Sequence, residues 1–317
     1  MPQSRVFAFD DPDRFQASFR AGHYEMLAPS KGAFRAGLTR IDFTRLQMQQ
    51  SIKNGRSIVR SATDARRMPL MFLSDADQET PLRNGMEFSA HEIVVHRPGA
   101  TNHLLTPGAS RLAMISLSTD ELATEAMAIT GREVTVPLYT YLARPMPAVL
   151  ARLRALHNAA CGLARTTPDA LSRPETARAL EHDLIHAMVA CLTDHPSIDA
   201  RRDGGSHART MARFEDFLAA RQLEPVYLAE ICSAIGASER TLRTCCQERL
   251  GMGPMRYLWL RRMNLAHRAL LNLDQAPRTV TEIATEHGFW ELGRFSVEYR
   301  ALFGETPSES LRRKYAA

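Results

Sequence analysis

The chain has 317 residues, 44% of them apolar, enough to bury two cores of common domain size. With 40 basic against 35 acidic residues the formal net charge is only +5, so a nucleic-acid partner has to be argued from where charge sits. No run of eighteen apolar residues occurs, and residues 1–15 carry acid where a signal peptide would carry an apolar segment; a cytoplasmic protein with no membrane partner is expected. The five cysteines, Cys161, Cys191, Cys232, Cys245 and Cys246, are odd in number and lack any CxxC, which argues against a disulfide framework or a zinc site.

From about 38 to 117 short β-leaning runs recur: Ile41 with Phe43, Leu46 with Met48, then 70–73, 93–95 and 113–117. Turn clusters at Asn54-Gly55, Asn84-Gly85, Pro98-Gly99 and Pro107-Gly108 separate them, the spacing of an antiparallel barrel or sandwich. His91, His96 and His103 fall in this region without a His-x-His pair, so neither a metal nor another cofactor is expected. The arginines Arg56, Arg60, Arg66 and Arg67 form a candidate effector site, since guanidinium forks grip phosphates. The Arg-x3-Arg spacing of Arg56 and Arg60 is similar to the arginine motif of PilZ domains, which implies a phosphate-bearing effector such as cyclic di-GMP; the plain alternative is a solvated cluster.

Two helices follow. The first runs from about 147 to 163 with Leu150, Leu153, Leu156 and Ala160 on one stripe, and the second opens at Ser172-Arg173-Pro174-Glu175 and carries Leu180, Leu184, Met188 and Leu192. Their apolar faces suit packing on the barrel or a homodimer seam. Residues 196–210, with Gly204-Gly205, read as a flexible linker.

Beyond it one unit is written twice. Leu228-Ala229-Glu230-Ile231, Gly236, Leu250-Gly251 and Pro254 return as Val280-Thr281-Glu282-Ile283, Gly288, Phe303-Gly304 and Pro307. Each copy reads as a helix, a glycine turn and a second helix, a helix-turn-helix that seats its second helix in the DNA major groove. The first unit spans 227–249, with Ser238 capping its reading helix and Arg240, Arg243, Thr244 and Gln247 outward. The second spans 280–303, with Phe295 and Tyr299 inward and Arg294, Ser296 and Arg300 its outward polar residues. A helix over 255–272 joins them, long enough to set two reading heads about one DNA turn, ~34 Å, apart. The polar face of unit one points to base reading, and the plainer second face to backbone anchoring.

Residues 211–317 resemble the DNA-binding domain of the AraC/XylS transcriptional regulators. The resemblance rests on Leu228, Ala229, Ile231, Gly236, Ser238, Leu242, Gly251, Pro254, Tyr257-Leu258, Arg262 and Ala266, then Ile283-Ala284, Gly288-Phe289, Phe295-Ser296, Tyr299, Phe303-Gly304 and Pro307. Three positions depart from the family pattern: Cys246 replaces a buried aromatic, Trp290 a small capping residue, and Val297 a frequent arginine. Residues 1–195 look like the sensor half of the same family. The resemblance implies an α+β chain of two domains, a cupin-like antiparallel β-barrel (about 38–120) with following helices (about 147–195) and an all-α bipartite helix-turn-helix domain. It also implies binding to double-stranded DNA, activation through RNA polymerase, a small-molecule effector and a homodimer. Ligand in the barrel is expected to act through the helices near 147–195 and the linker. A cupin-type enzyme with a DNA-docking tail would need a catalytic constellation that does not emerge, so no enzyme is expected; a ligand-independent architectural DNA protein is the other alternative.

Overall fold

The computed structural model describes residues 3–19, 23–27, 34–194, 206–221, 226–271 and 278–316. The N-terminal half contributes strands β1 (Gln3–Phe9), β2 (His23–Leu27), β3 (Ala36–Asp42), β4 (Gln47–Lys53), β5 (Ser57–Ala62), β6 (Arg67–Leu73), β7 (Leu82–Arg83), β8 (Met86–Glu87), β9 (Ile93–Val95), β10 (Thr101–Thr106), β11 (Ser110–Ser118) and β12 (Tyr141–Ala143). Its helices are α1 (Pro12–Ala17), α2 (Thr119–Thr130), α3 (Pro147–Thr166), α4 (Pro168–Ser172) and α5 (Pro174–Thr193). The C-terminal half is helical: α6 (Ser206–Ala220), α7 (Leu228–Ile235), α8 (Glu239–Leu250), α9 (Pro254–Leu271), α10 (Val280–Glu286), α11 (Leu292–Phe303) and α12 (Pro307–Ala316).

The strands pair antiparallel in two sheets, a seven-stranded one in the order β1-β3-β4-β11-β6-β9-β12 and a five-stranded one in the order β2-β5-β10-β7-β8. Successive side chains of a strand point to opposite faces, so each sheet has two rosters of residues. On the seven-stranded sheet Phe72, Ile93 and Ile115 pack outward against Leu153, Leu184 and Met188 of α3 and α5. The alternate residues Met71, Val94 and Leu112 point inward, where they meet Met26, Val59 and Leu104 of the five-stranded sheet. The outward residues of that second sheet, Leu27, Ile58 and Leu105, join the core of the helical half beside Phe214, Leu250 and Tyr257. The molecule is therefore layered: helices, sheet, interior, sheet, helix-turn-helix module.

Short-range chemistry sets the element ends. Ser118 accepts from the Glu121 N–H to start α2, and Gly131, in the left-handed region, ends it. Ser238 accepts from the Thr241 N–H to start α8, and Thr279 with Glu282 forms a capping box at α10. Asn84 and Gly85 take φ of 50° and 82° in the two-residue turn between β7 and β8, the backbone that a tight hairpin demands. The tip of this hairpin abuts the end of α8, where a Cβ on Gly85 would lie 2.8 Å from the Glu248 carbonyl oxygen.

Several features differ from the sequence reading. Two strands, β1 and β2, precede residue 38, and α2 was not anticipated because its apolar stripe is short. Helix α6 begins at Ser206, inside the expected linker; residues 196–205 of that linker lie outside the described residues. The helices α3 and α5 cover the seven-stranded sheet, so the helix-turn-helix module docks on the opposite side of the barrel from them.

That docking surface is two cross-strand rows. Leu27, Ile58 and Leu105 face one another across β2, β5 and β10, and so do Glu25, Arg60 and His103. The module answers the charged row with opposite charge. Glu215 of α6, its side chain 2% exposed, lies 3.3 Å from the Arg60 guanidinium and 3.0 Å from His103 Nε2, while Arg261 of α9 lies 3.7 Å from Glu25. The Tyr257 hydroxyl donates to the same Glu215 oxygen at 2.9 Å. At the rim Arg268 donates to Asp13 at 2.8 Å and Gln16 at 2.9 Å.

Burial alone would raise the Glu215 pKa, but the His103 hydrogen bond and the charges of His103, Arg60 and Arg261 bring it down to about 2. A depressed carboxylate stabilises the fold above its unfolded value near 4.5 and loses that contribution as pH falls towards 2. Replacing it with Ala would leave His103 and Tyr257 buried without their acceptor and Arg60 without its counter-charge. Glu215→Ala should therefore cost about 3–5 kcal/mol in urea denaturation at pH 7. The gap between wild type and variant should narrow as pH drops from above 4.5.

Candidate functional site

The two reading helices are built alike from the same offset of residues. Helix α8 buries Leu242, Cys245, Cys246 and Leu250, and α11 buries Phe295, Tyr299 and Leu302. The left-handed Gly251 and Gly304 end them. Helix α9 runs beneath both, burying Tyr257, Leu258, Met263, Ala266 and Leu270, and so fixes one head relative to the other. Cys246, at the position of an expected aromatic, is fully buried and its sulfur lies 3.9 Å from the Met211 sulfur of α6.

Of the DNA-contact residues read from the sequence, Arg240, Arg243, Thr244 and Gln247 lie exposed on one side of α8. Ser238 spends its hydroxyl on the helix start, accepting from the Thr241 N–H at 3.1 Å, and so positions the helix. Thr244 donates to the Arg240 carbonyl at 3.0 Å. On α11, Arg300 is exposed, Ser296 is half-buried and donates to the Leu292 carbonyl at 3.0 Å, and Arg294 is held by Glu298 at 2.9 Å. Glu298 also accepts from the Trp259 indole at 2.9 Å, and Arg256 lies 3.9 Å over that ring. Trp259 of the connecting helix thus steers Arg294 through Glu298, a role that sequence spacing gave no sign of because Trp259 lies outside both repeats.

A second feature lies inside the barrel, a cavity of about 300 Å³ between the sheets. Tyr24, Val59, Met71, Leu104 and Leu112 supply apolar walls, and Arg40, Arg67 and Arg83 bring cationic groups to it beside Asp42. Arg83 lies 3.0 Å from His96 Nδ1, and burial with the Arg83 charge holds the His96 pKa well below its ordinary value, so that imidazole is neutral. Arg67 donates to the Ser116 and Arg45 carbonyls at 2.6 and 2.8 Å.

The four arginines read as one effector cluster are not brought together. Only Arg67 lines the cavity. Arg60 projects from the other face of β5 onto Glu215, Arg66 is 89% exposed, and the Arg56 guanidinium lies against Gly251 of the helix-turn-helix module. The period of two keeps Arg56 and Arg60 on the module-facing side of β5, and the turn that follows leaves Arg66 in solvent and brings Arg67 to the cavity. The three histidines also part: His91 is exposed, His96 meets Arg83, and His103 meets Glu215. No described helix is long and apolar enough to cross a membrane.

Comparison with known proteins agrees with the geometry of the helical half. A family described as a helix-turn-helix domain matches residues 231–313. The probable thc operon regulatory protein of Rhodococcus erythropolis is 43% identical over 97 residues, 31% of this chain and 29% of that protein. The XylDLEGF operon transcriptional activator 2 of Pseudomonas putida is 32% identical over 99 residues, 31% of this chain and 63% of that protein. The chain thus spans less than two thirds of the length of either curated relative. Among solved structures, a probable AraC family transcriptional regulator from Rhodopseudomonas palustris CGA009 is 32% identical, with 33% of this chain and 96% of that one covered and a TM-score of 0.31. With the curated relatives' match in sequence and the paired helix-turn-helix units in place, residues 231–313 form a helix-turn-helix domain of the AraC/XylS family of transcriptional regulators.

Proposed function

We propose that this chain is an effector-responsive regulator that binds specific promoter DNA through α8 and α11 and binds a small molecule in the barrel cavity. The carrying observation is that β2, β5 and β10 face both partners at once. Val59 and Leu104 wall the cavity, whereas Arg60, Leu105 and His103, their neighbours along the same strands, hold the helix-turn-helix module. A ligand that shifts these strands changes the seating of the module, and a population shift follows from its different affinity for the two seatings. This route runs through the five-stranded sheet and replaces the one expected through α3, α5 and the linker.

The lining offers Arg40, Arg67 and Arg83 to an acidic group and Tyr24, Val59, Met71, Leu104 and Leu112 to an apolar body, alongside Asp42, Asp64 and neutral polar side chains that would meet its hydrogen-bonding groups. A cyclic dinucleotide gripped by Arg56 and Arg60 does not suit the cavity, because both residues lie against the helix-turn-helix module. On the DNA side, Arg240 and Arg243 occupy the early turns of α8, the part of a recognition helix that meets base edges.

Mass spectrometry under native conditions on protein purified from its own host should reveal a bound small acid, and Ser61→Phe, which fills the cavity wall, should abolish that mass. Arg60→Ala should keep the ligand but lose the ligand-dependent change in DNA affinity, about 5–150-fold in a coupled regulator. Identical DNA affinity with and without the identified ligand in the wild type removes the coupling. Separately, Arg243→Ala should weaken specific binding by ~1–3 kcal/mol in fluorescence anisotropy and relax preference at one base pair; an unchanged site preference reassigns it to the phosphates.

A further inference from the structure

The two heads differ along the line that faces away from the core. Residues at i, i+4 and i+8 of a helix share one face. In α8 that line is Arg240, Thr244 and Glu248; in α11 the equivalent line is Gly293, Val297 and Ala301, without a polar side-chain atom. Val297 is 72% exposed, and Phe295, Tyr299 and Leu302 are buried on the opposite side. Trp290, also 72% exposed, stands just ahead of the helix, where unit one has Ala237. Arg294 and Arg300 flank the stripe on either side.

An apolar strip between two exposed arginines matches the floor and walls of a major groove, where phosphates line the edges and the thymine methyl is the apolar group that base pairs present. We propose that Trp290 and Val297 read thymine 5-methyl groups, so that the half-site of the second head is selected for thymine by apolar contact. Gly293 is compatible with this role: a Cβ there would meet nothing within 4 Å in the protein, so that end of the stripe is open to a close approach from outside. The proposal rests on the reading of α11 as a DNA-facing helix, and its test separates the two.

The full chain is first used to select its binding site from random duplexes, and each thymine of the second half-site is then replaced by deoxyuridine, which lacks only the methyl. Anisotropy should show a loss of about fourfold at one or two positions, the value of one buried carbon group. Trp290→Ala and Val297→Ala should bind the thymine site more weakly and no longer distinguish deoxyuridine, whereas Arg243→Ala should still distinguish it. Gly293→Ala should fold at least as stably, since alanine is the better helix former, yet bind more weakly. If deoxyuridine is tolerated at every position while Arg300→Ala still weakens binding, α11 meets DNA but the methyl reading is wrong, and the stripe is left for a protein partner. If neither deoxyuridine nor any α11 variant changes affinity, α11 does not face DNA and both readings fall.

Discussion

Two cross-strand rows on the five-stranded sheet govern how the two halves of the molecule relate. The apolar row of Leu27, Ile58 and Leu105 supplies burial, and the charged row of Glu25, Arg60 and His103 supplies register. A purely apolar contact would tolerate sliding, whereas each charge here has one position at which it meets its opposite. Glu215 must sit over Arg60 and His103 when Arg261 sits near Glu25. A shift of one residue along β5 would bring Val59 or Ser61 outward and Arg60 into the cavity, so docking and cavity are locked to the same alternation.

This double use of one sheet explains what the sequence conveys and what it hides. The repeat in the helical half was legible because two copies at matched spacing carry their caps, glycines and apolar positions in plain order; Ser238, Gly236 and Gly251 act as read. The strands within 41–48 were legible from alternation, and those at 93–95 and 113–117 from short β-leaning apolar runs bounded by turn residues. Pairs such as Ile58-Val59 and Leu104-Leu105 gave no clue to which side faces inward, since both faces of their sheet are buried. The charged row was harder still. Arg60, His103 and Glu215 each look like solvent-facing residues in isolation, and only the docked fold shows them as one buried cluster. The grouping of Arg56, Arg60, Arg66 and Arg67 met the same obstacle, since Arg56 and Arg60 share the face that the module covers while Arg66 and Arg67 lie beyond a turn. Helix α6, which carries Glu215, was obscured by the polar stretch that leads into it.

The two reading heads bear a parallel lesson about duplication. Matched cores keep α8 and α11 on the same scaffold, Leu242 with Phe295 and Cys246 with Tyr299, while the outward lines are under no packing constraint and have diverged. Arg240 and Thr244 became Gly293 and Val297 in the second copy. The flanking arginine is then held from behind, since Glu298 binds both Arg294 and the Trp259 indole of α9. An orienting contact of this kind reduces the side-chain entropy that a free arginine would lose on meeting a phosphate.

A polar interface of this kind is weakly stabilising for its area, because each buried charge sheds its water before it gains its partner. Replacing Glu215, Arg60 and His103 by apolar residues of similar shape would hold the module at least as firmly. What it would remove is the dependence of the contact on register: the hydrogen bonds that Glu215 accepts from His103 and Tyr257 need one distance and angle, whereas an apolar patch tolerates sliding. The cavity lies one residue away on the same strands, walled by Val59 and Leu104, so displacement there is delivered to that sensitive contact without an intervening element. Under the proposed coupling, the charged row is the release point of the module, one residue along the strands from the cavity wall.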